Sequence, residues 1–363
     1  MFNFFNPKIC SFGIDLSDLS IKIIDLKKER GIFSLASFGR QEIPPGLIEE
    51  GEIKKEGELI EVIKKAIKGV RGKSLKSGFC VASLPETESF VRVVKLPIIT
   101  KEEVSEAIKW EIEANIPLSL DEIYYDWQII ETDPNSLFIK DQEHLNVLVG
   151  VLPKKTVDPY LDVIKKAGLR PCVFEIESIA ATRALIKEGE DKKSLVIVDM
   201  GAKRTSLAIS SNQTVYFTTS LNISNNSLVE VLSESLKISK DRALQIKLKV
   251  GLGLKHPESR VFQILKEPLQ EMAAKIKNYI YFYQEHIGKA QFAGKKIEQI
   301  LLCGGGANLD GLPEFLTSEL KIDVSVGNPL VNISKNINEE LVSSLKDPLA
   351  YTTALGLALR SHD

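Results

Sequence analysis

Cysteine and histidine are scarce in this chain of 363 residues, which holds four of each. Cys10, Cys80, Cys172 and Cys303 lie far apart in apolar settings, which excludes a disulfide framework and fits a reducing cytoplasm. His144, His256, His286 and His362 share no ligand spacing with one another or with the cysteines, so nothing recommends a zinc site or a nucleophilic hydrolase. Long apolar runs are missing too. Leu145 to Leu152 and Leu195 to Val198 fall well short of the roughly 18 residues that a spanning helix needs. Met1 to Asn6 carries Phe2, Phe4 and Phe5 without a cationic stretch and a long apolar core, so a secretory leader is not expected. Those aromatics are expected to pack on the nearby sheet, with lipid contact as the alternative. Charge of one sign is also lacking. The 47 basic and 49 acidic residues leave a net charge of -2, which gives no general pull toward nucleic acid.

What is present is an ordinary globular composition, with 44% hydrophobic and 26% charged residues, long enough for two lobes. Ser11 to Asp15 reads as a short strand entering the turn-prone Ser17-Asp18, and Ile21 to Leu26 alternates as the returning strand. The same order recurs where Leu195 to Asp199 meets Gly201 and Thr205 to Ser210 leaves. Two copies of one α/β unit follow from that internal repeat. Between them, Gly57 to Val70 carries a helical apolar stripe. Thr100 and Glu103 form a capping box for a helix that Pro117 stops, and strands at Tyr125 to Ile130 and Leu145 to Leu152 precede a helix from Val157 to Ala167, ended by Gly168. The second half adds helices at Ser227 to Leu236, Lys240 to Lys249 and Leu269 to Ile287. A strand from Ile297 to Leu302 then enters Gly304-Gly305-Gly306, with helices at Pro313 to Leu320 and Ala354 to Leu359 beyond.

Asp15 and Asp199 each end an apolar strand, where a buried carboxylate is costly without a partner. Either can simply cap its turn. Together they fit a cleft in which two hairpins grip phosphates through backbone amides and the Asp pair holds a hydrated magnesium ion. Lys22 is long enough to set a point charge on a phosphate, or it is a solvated surface lysine. The Gly304-Gly305-Gly306-Ala307 run lets a flat ligand approach the backbone. Glu177, at a strand-to-helix junction, either polarises an attacking water or only favours the helix dipole.

These stretches resemble, in order, the phosphate-1, phosphate-2, connect-1 and adenosine motifs of the actin, Hsp70 and FtsA superfamily. Within it, Leu84 to Glu88, Val91 to Pro97, Trp110 to Glu113 and Tyr125 to Trp127 are similar to the PilM family of type IV pilus assembly. The resemblance implies an α/β fold of duplicated actin-like, ribonuclease H-like lobes. Subdomain 1A would take residues 1–86 and 169–193, an inserted 1C residues 87–168, 2A residues 194–227 and 297–363, and a mostly helical 2B residues 228–296. It implies ATP and Mg, held by Asp15, Ser17, Ser20, Lys22, Asp199, Gly201, Lys203, Thr205 and Gly304 to Ala307, with Glu177 as the catalytic candidate. It also implies a cytoplasmic place at the inner membrane, reached only through a partner. That partner is a PilN-like N-terminal cytoplasmic tail held between 1A and 1C, and self-association into a ring or filament is expected alongside it.

Two departures bear on turnover. Ser17 stands where relatives usually have Gly, with Leu19 further along the turn, and Ser17 would cost about 1 kcal/mol if the usual left-handed loop shape is kept. Lys203 and Arg204 replace small polar residues in the second loop, adding phosphate-binding charge or pointing into solvent. Nucleotide binding with slow or absent hydrolysis is therefore expected. The alternatives are an FtsA-like filament-forming division protein, disfavoured because Arg360 to Asp363 follow the last core helix without an anchor helix, and an actin-fold small-molecule kinase, for which no general base beside a substrate motif is found.

Overall fold

Residues 11–75, 77–130, 144–187, 189, 193–211, 214–253, 259–286, 296–334 and 337–362 are described in the computed structural model. Phe2, Phe4, Phe5, Cys10, His256 and Ile287 lie outside them. In chain order the first half runs β1 (Phe12–Leu16), β2 (Ser20–Glu29), β3 (Ile32–Glu42), β4 (Ile48–Glu49), β5 (Glu52–Ile53), α1 (Glu56–Lys68), β6 (Arg71–Gly72), β7 (Phe79–Leu84), β8 (Phe90–Pro97), α2 (Lys101–Asn115), β9 (Ile123–Ile129), β10 (His144–Pro153), α3 (Lys154–Lys166), β11 (Arg170–Ile176) and α4 (Glu177–Leu185). The second runs β12 (Ser194–Met200), β13 (Thr205–Ser211), β14 (Thr214–Leu221), α5 (Asn225–Leu236), α6 (Lys240–Val250), α7 (Arg260–His286), β15 (Gln299–Cys303), α8 (Leu312–Leu320), β16 (Asp323–Val326), α9 (Glu339–Ser343) and α10 (Thr352–Arg360).

The repeat seen in the sequence is a repeat of topology. One sheet is ordered β11-β7-β1-β2-β3-β6 and the other begins β16-β15-β12-β13-β14. In each, an antiparallel meander (β1-β2-β3, β12-β13-β14) is extended beside its first strand by two parallel strands. The first strand of each meander therefore lies inside its sheet, which explains why β1 and most of β12 are apolar runs rather than alternating ones.

Small residues let the helices that end each half cross at the centre. A Cβ on Gly356 of α10 would sit 1.8 Å from the Ala180 carbonyl oxygen of α4, and one on Gly13 of β1 would sit 2.4 Å from the Ala354 carbonyl oxygen. Ala180, Ala181 and Ala184 face this crossing fully buried. Ala181 and Leu185 of α4 share a core with Leu195, Ile197 and Ala208 of the second sheet. Ala354, Leu355 and Ala358 of α10 share one with Ile24 and Leu35 of the first. Each helix thus binds the other half's sheet, and the two lobes are tied at one junction.

The inserted strands β8, β9 and β10 carry α2 on one face through Val104, Ile108 and Ile112, against Leu96, Val147 and Val149. The capping box is formed, with the Thr100 N–H donating to Glu103 Oε2 at 2.8 Å and the Glu103 N–H donating to Thr100 Oγ1 at 3.3 Å. Its loss costs about 1 kcal/mol. The insert, which interrupts the first lobe, joins the second lobe's sheet instead, through Phe217 of β14 opposite Arg92 of β8. Helix α3, grouped with the insert in the sequence division, lays Val157, Tyr160, Val163 and Ile164 into the first lobe's core beside Leu59 and Ile63 of α1.

Helix α7 starts at Arg260, not after Pro268 as read from the sequence. Proline normally ends a helix. Here the buried stripe Val261, Leu265, Leu269, Met272, Ile276, Ile280 and Tyr283 runs through it, and that packing outweighs the lost hydrogen bond. Among the described residues, no helix is long and apolar enough to cross a membrane.

Candidate functional site

The turns β1–β2 and β12–β13 face each other across a cleft of about 410 Å³, floored by the start of α4 and flanked by the glycine turn after β15. That volume lies within the range of small-ligand sites. Antiparallel register decides what each turn presents.

In the first lobe, Asp15 of β1 lies opposite Lys22 of β2. Lys22 Nζ donates to Asp15 Oδ2 at 2.8 Å and Ser83 Oγ donates to Asp15 Oδ1 at 3.1 Å. Both charged side chains are nearly buried. Burial disfavours the Lys22 ammonium, but Asp15 and, more weakly, Asp199 outweigh it and hold its pKa above the ordinary value. Lys22 is thus neither a solvated lysine nor a free point charge: its partner is Asp15.

Ser17 closes the turn by donating its N–H at 3.1 Å and its hydroxyl at 3.0 Å to the Ser20 carbonyl oxygen. Neither Ser17, Asp18 nor Leu19 has positive φ. The strain expected from Ser17 does not arise, because this turn uses no left-handed residue.

In the second lobe, Asp199 of β12 lies opposite Ser206, and its closest donor is Thr353 Oγ1 at 3.4 Å. Burial, reinforced by Asp15 across the cleft and opposed by Lys22 and Thr353, pushes its pKa up to about 6. The β15 register sets Cys303 beside Asp199, so the chain leaves the strand directly under that carboxylate. There Gly304 has φ +76, and a Cβ would sit 2.2 Å from Asp199 Oδ1. Only glycine fits. A Cβ on Gly306 would meet Met200 Cβ at 2.8 Å, whereas one on Gly305 would meet nothing within 4 Å, which leaves Gly305 as the open shelf of this turn. Gly201 is demanded by the tight β12–β13 turn, where a Cβ would lie 2.8 Å from the Arg204 carbonyl oxygen.

Glu177 opens α4 and lines the cleft floor. Burial, opposed by Arg204 and reinforced by Asp15 and Asp199, pushes its pKa up to about 8. Lys203 is exposed at the mouth, on the rim shared with a wider polar groove. Two expected residues do not line the cleft. Thr205 turns inward and donates its hydroxyl to the Ile223 carbonyl oxygen at 2.6 Å, and Ala307 is buried in the second core. In a strand, alternate side chains leave on opposite faces, so Thr205 and Ser206 cannot both face the cleft.

Sequence reasoning did not choose Asp18, Arg40, Asn225, Asp347 or Thr353, all of which line it. Arg204, left open between phosphate and solvent, turns into the cleft. Its Nη2 donates to Asp18 Oδ1 at 2.9 Å. No spacing in the sequence announces this pair, which closes between residues 186 apart.

The residues fit a magnesium nucleotide on two observations. Asp15 and Asp199 repel across a buried cleft, a strain that a divalent cation relieves, and the glycine turn is open at Gly305, where a Cβ would meet nothing within 4 Å. Among the described residues, no group of three or more His, Cys, Asp or Glu side chains could hold a metal. Oxygens of water and ligand would have to complete the shell, as is usual for Mg²⁺.

Duplicated sheets of one topology, crossed helices at the junction and a cleft between paired hairpins define an actin-like protein of ribonuclease H-like build. The comparisons narrow this. The sequence profile of the family described as type IV pilus assembly protein PilM matches residues 13–362, and the chain belongs to that family. Among solved structures it is similar to the PilM-PilN type IV pilus biogenesis complex, with a TM-score of 0.80 and 22% identity over 98% of this chain and 100% of that chain. It is also similar to MreB5 of Spiroplasma citri bound to ADP, with a TM-score of 0.50 and 13% identity over 94% and 99% of the two chains. The cell division protein FtsA of Borreliella burgdorferi is 24% identical over 218 residues, 55% of this chain, and the match spans 50% of that relative's length.

Proposed function

We propose that this protein is a nucleotide-binding scaffold of type IV pilus assembly, holding ATP with Mg between its two lobes. The observation that carries the reading is the pair Asp15 and Asp199, facing each other beside the Gly304 to Gly306 turn. Bound Mg²⁺ would neutralise phosphate charge. Asp199, with Asp15 behind it, would hold the hydrated ion, and Lys22, Lys203 and Arg204 supply the cationic side of the phosphate end. Gly304 and Gly305 offer the backbone shelf for the nucleoside. Glu177, on the cleft floor, is the residue placed to orient a water, and its burial raises its pKa.

The lobes would act as a conformational frame rather than an enzyme, and the division into 1A, 1C, 2A and 2B is retained with α3 assigned to 1A. A groove of about 750 Å³ is lined by Lys28 and Phe33 of the first lobe, by Gln128, Ile129 and Ile130 of the insert, and by Val215 and Arg360 of the second lobe. We assign to it the PilN-like N-terminal tail, which would hold the protein at the cytoplasmic side of the inner membrane, where copies assemble into a ring. Helix α4 supports this arrangement, since it presents Glu177 to the nucleotide cleft and Arg183 to the groove.

Isothermal titration tests both halves of the proposal. ATP·Mg is expected to bind the wild type and to bind Asp199→Ala at least 100-fold more weakly. A PilN-tail peptide is expected to bind with an affinity that ATP·Mg changes. No heat with either ligand would remove the reading.

A further inference from the structure

We infer that Asp18 and Arg204 form a latch between the two lobes across the phosphate end of the cleft, and that entering phosphates take Arg204 over from Asp18. The second part rests on the proposed nucleotide reading; the first does not.

Asp18 belongs to the β1–β2 turn and Arg204 to the β12–β13 turn, so their ion pair joins the two lobes directly. The pair is 2.9 Å long, with side chains only 5% and 13% exposed. It is therefore screened from solvent far better than a surface pair. Arg204 holds a second point, since its Nη1 also donates to Thr87 Oγ1 at 3.2 Å, and Thr87 at the start of the insert donates to the Glu50 carbonyl oxygen of the first lobe at 3.2 Å. Asp18 Oδ1 is anchored in turn by the Gly51 N–H at 3.0 Å.

The grip is incomplete. Asp18 Oδ2 is buried with no partner among the described residues, so the pair uses one carboxylate oxygen where a guanidinium fork can engage two. A phosphate group offers three oxygens and more charge, and Arg204 has donors to spare. A phosphate therefore outcompetes Asp18 for Arg204, whereas an adenosine without phosphates has nothing to exchange. Selection for phosphate and release of the lobes become one event, since freeing Arg204 removes its hold on both the Asp18 turn and the Thr87 segment.

The test uses the full chain. Asp18→Asn keeps an oxygen for the Gly51 N–H while removing one of the two carboxylates, with Glu177, that attract Arg204. It is expected to bind ATP·Mg about tenfold more tightly than wild type. Arg204→Gln is expected to bind ATP at least tenfold more weakly with adenosine affinity unchanged. Without nucleotide, hydrogen exchange read by mass spectrometry over residues 16–20, 49–54 and 86–90 is expected to quicken in both variants, and over residues 49–54 and 86–90 in wild type when ATP is added. Unchanged exchange in both variants overturns the latch, whatever the nucleotide does. Tighter binding absent from Asp18→Asn overturns the exchange with phosphate. If no variant and not the wild type binds ATP while exchange still quickens in both variants, the nucleotide reading falls and the lobe latch stands.

Discussion

The two hairpins occupy equivalent places in a duplicated fold, yet they treat their aspartates differently. Seven residues after Asp15, the register of β1 with β2 brings Lys22 opposite it; seven residues after Asp199, the register of β12 with β13 brings Ser206. Asp15 consequently lies in an ion pair with a further hydrogen bond from Ser83, while Asp199 has, among the described residues, one long side-chain hydrogen bond, from Thr353. The duplication supplied two carboxylates, and one side chain on the neighbouring strand decided which keeps an unmet need for a cation. In the proposed function Asp15 would serve the site indirectly, by its field on Asp199, and Asp199 would be the residue that a cation rewards.

Breaking the first hairpin is expected to have the largest effect. Lys22→Met leaves Asp15 buried without a cation and facing Asp199, at a cost of about 3–5 kcal/mol. Adding Asp15→Asn should restore most of that, since an amide buries no charge. Urea denaturation of the single and double variants reads both. If the single variant loses under 1 kcal/mol, the ion pair does not organise this hairpin as argued.

The second hairpin should respond with the opposite sign. With its pKa near 6, above the ordinary 3.8, Asp199 keeps a proton that the unfolded chain has already released. Stability therefore falls as pH rises from about 4 through 6, and by pH 7 the loss amounts to about 3 kcal/mol. Asp199→Asn is expected to stabilise the nucleotide-free protein by up to that amount at pH 7, with the gain gone below pH 4, while ATP·Mg affinity drops. A gain that persists at pH 3.5 would mean that packing, not charge, is responsible.

The contrast between the hairpins was half visible in the sequence. Asp15, Lys22, Asp199 and the glycine run could be read because each sits at a strand end beside a turn, and a strand's neighbour across a short hairpin is fixed by counting. Thr205 was misjudged for the same reason: period two sends it inward, and only the true register shows that Ser206 shares the cleft. The Asp18–Arg204 pair could not be counted out, because it closes between residues 186 apart in sequence. The helix stripe of α3 was legible, but a stripe says only that a face is buried. Which sheet buries it depends on the path of the chain, and that path returns α3 to the first lobe while the strands before it join the second.

A third buried site sharpens the comparison with the smallest expected effect. Lys247 of α6 is buried like Lys22, at 2% exposure against 9%, but its partner is the amide oxygen of Asn225 rather than a carboxylate. Burial alone pushes its pKa down to about 8, whereas Asp15 lifts that of Lys22. Below pH 8 the folded chain carries the Lys247 charge at a cost. Between pH 8 and 10.5 the folded protein sheds the proton before the unfolded chain does, and that cost is recovered as pH rises. Lys247→Met is expected to stabilise the protein by about 1–3 kcal/mol at pH 7, less whatever Asn225 loses with its partner. The difference from wild type should shrink as denaturation is repeated from pH 8 up to 10. A constant difference across that range would show that the ammonium is not what the fold is working against.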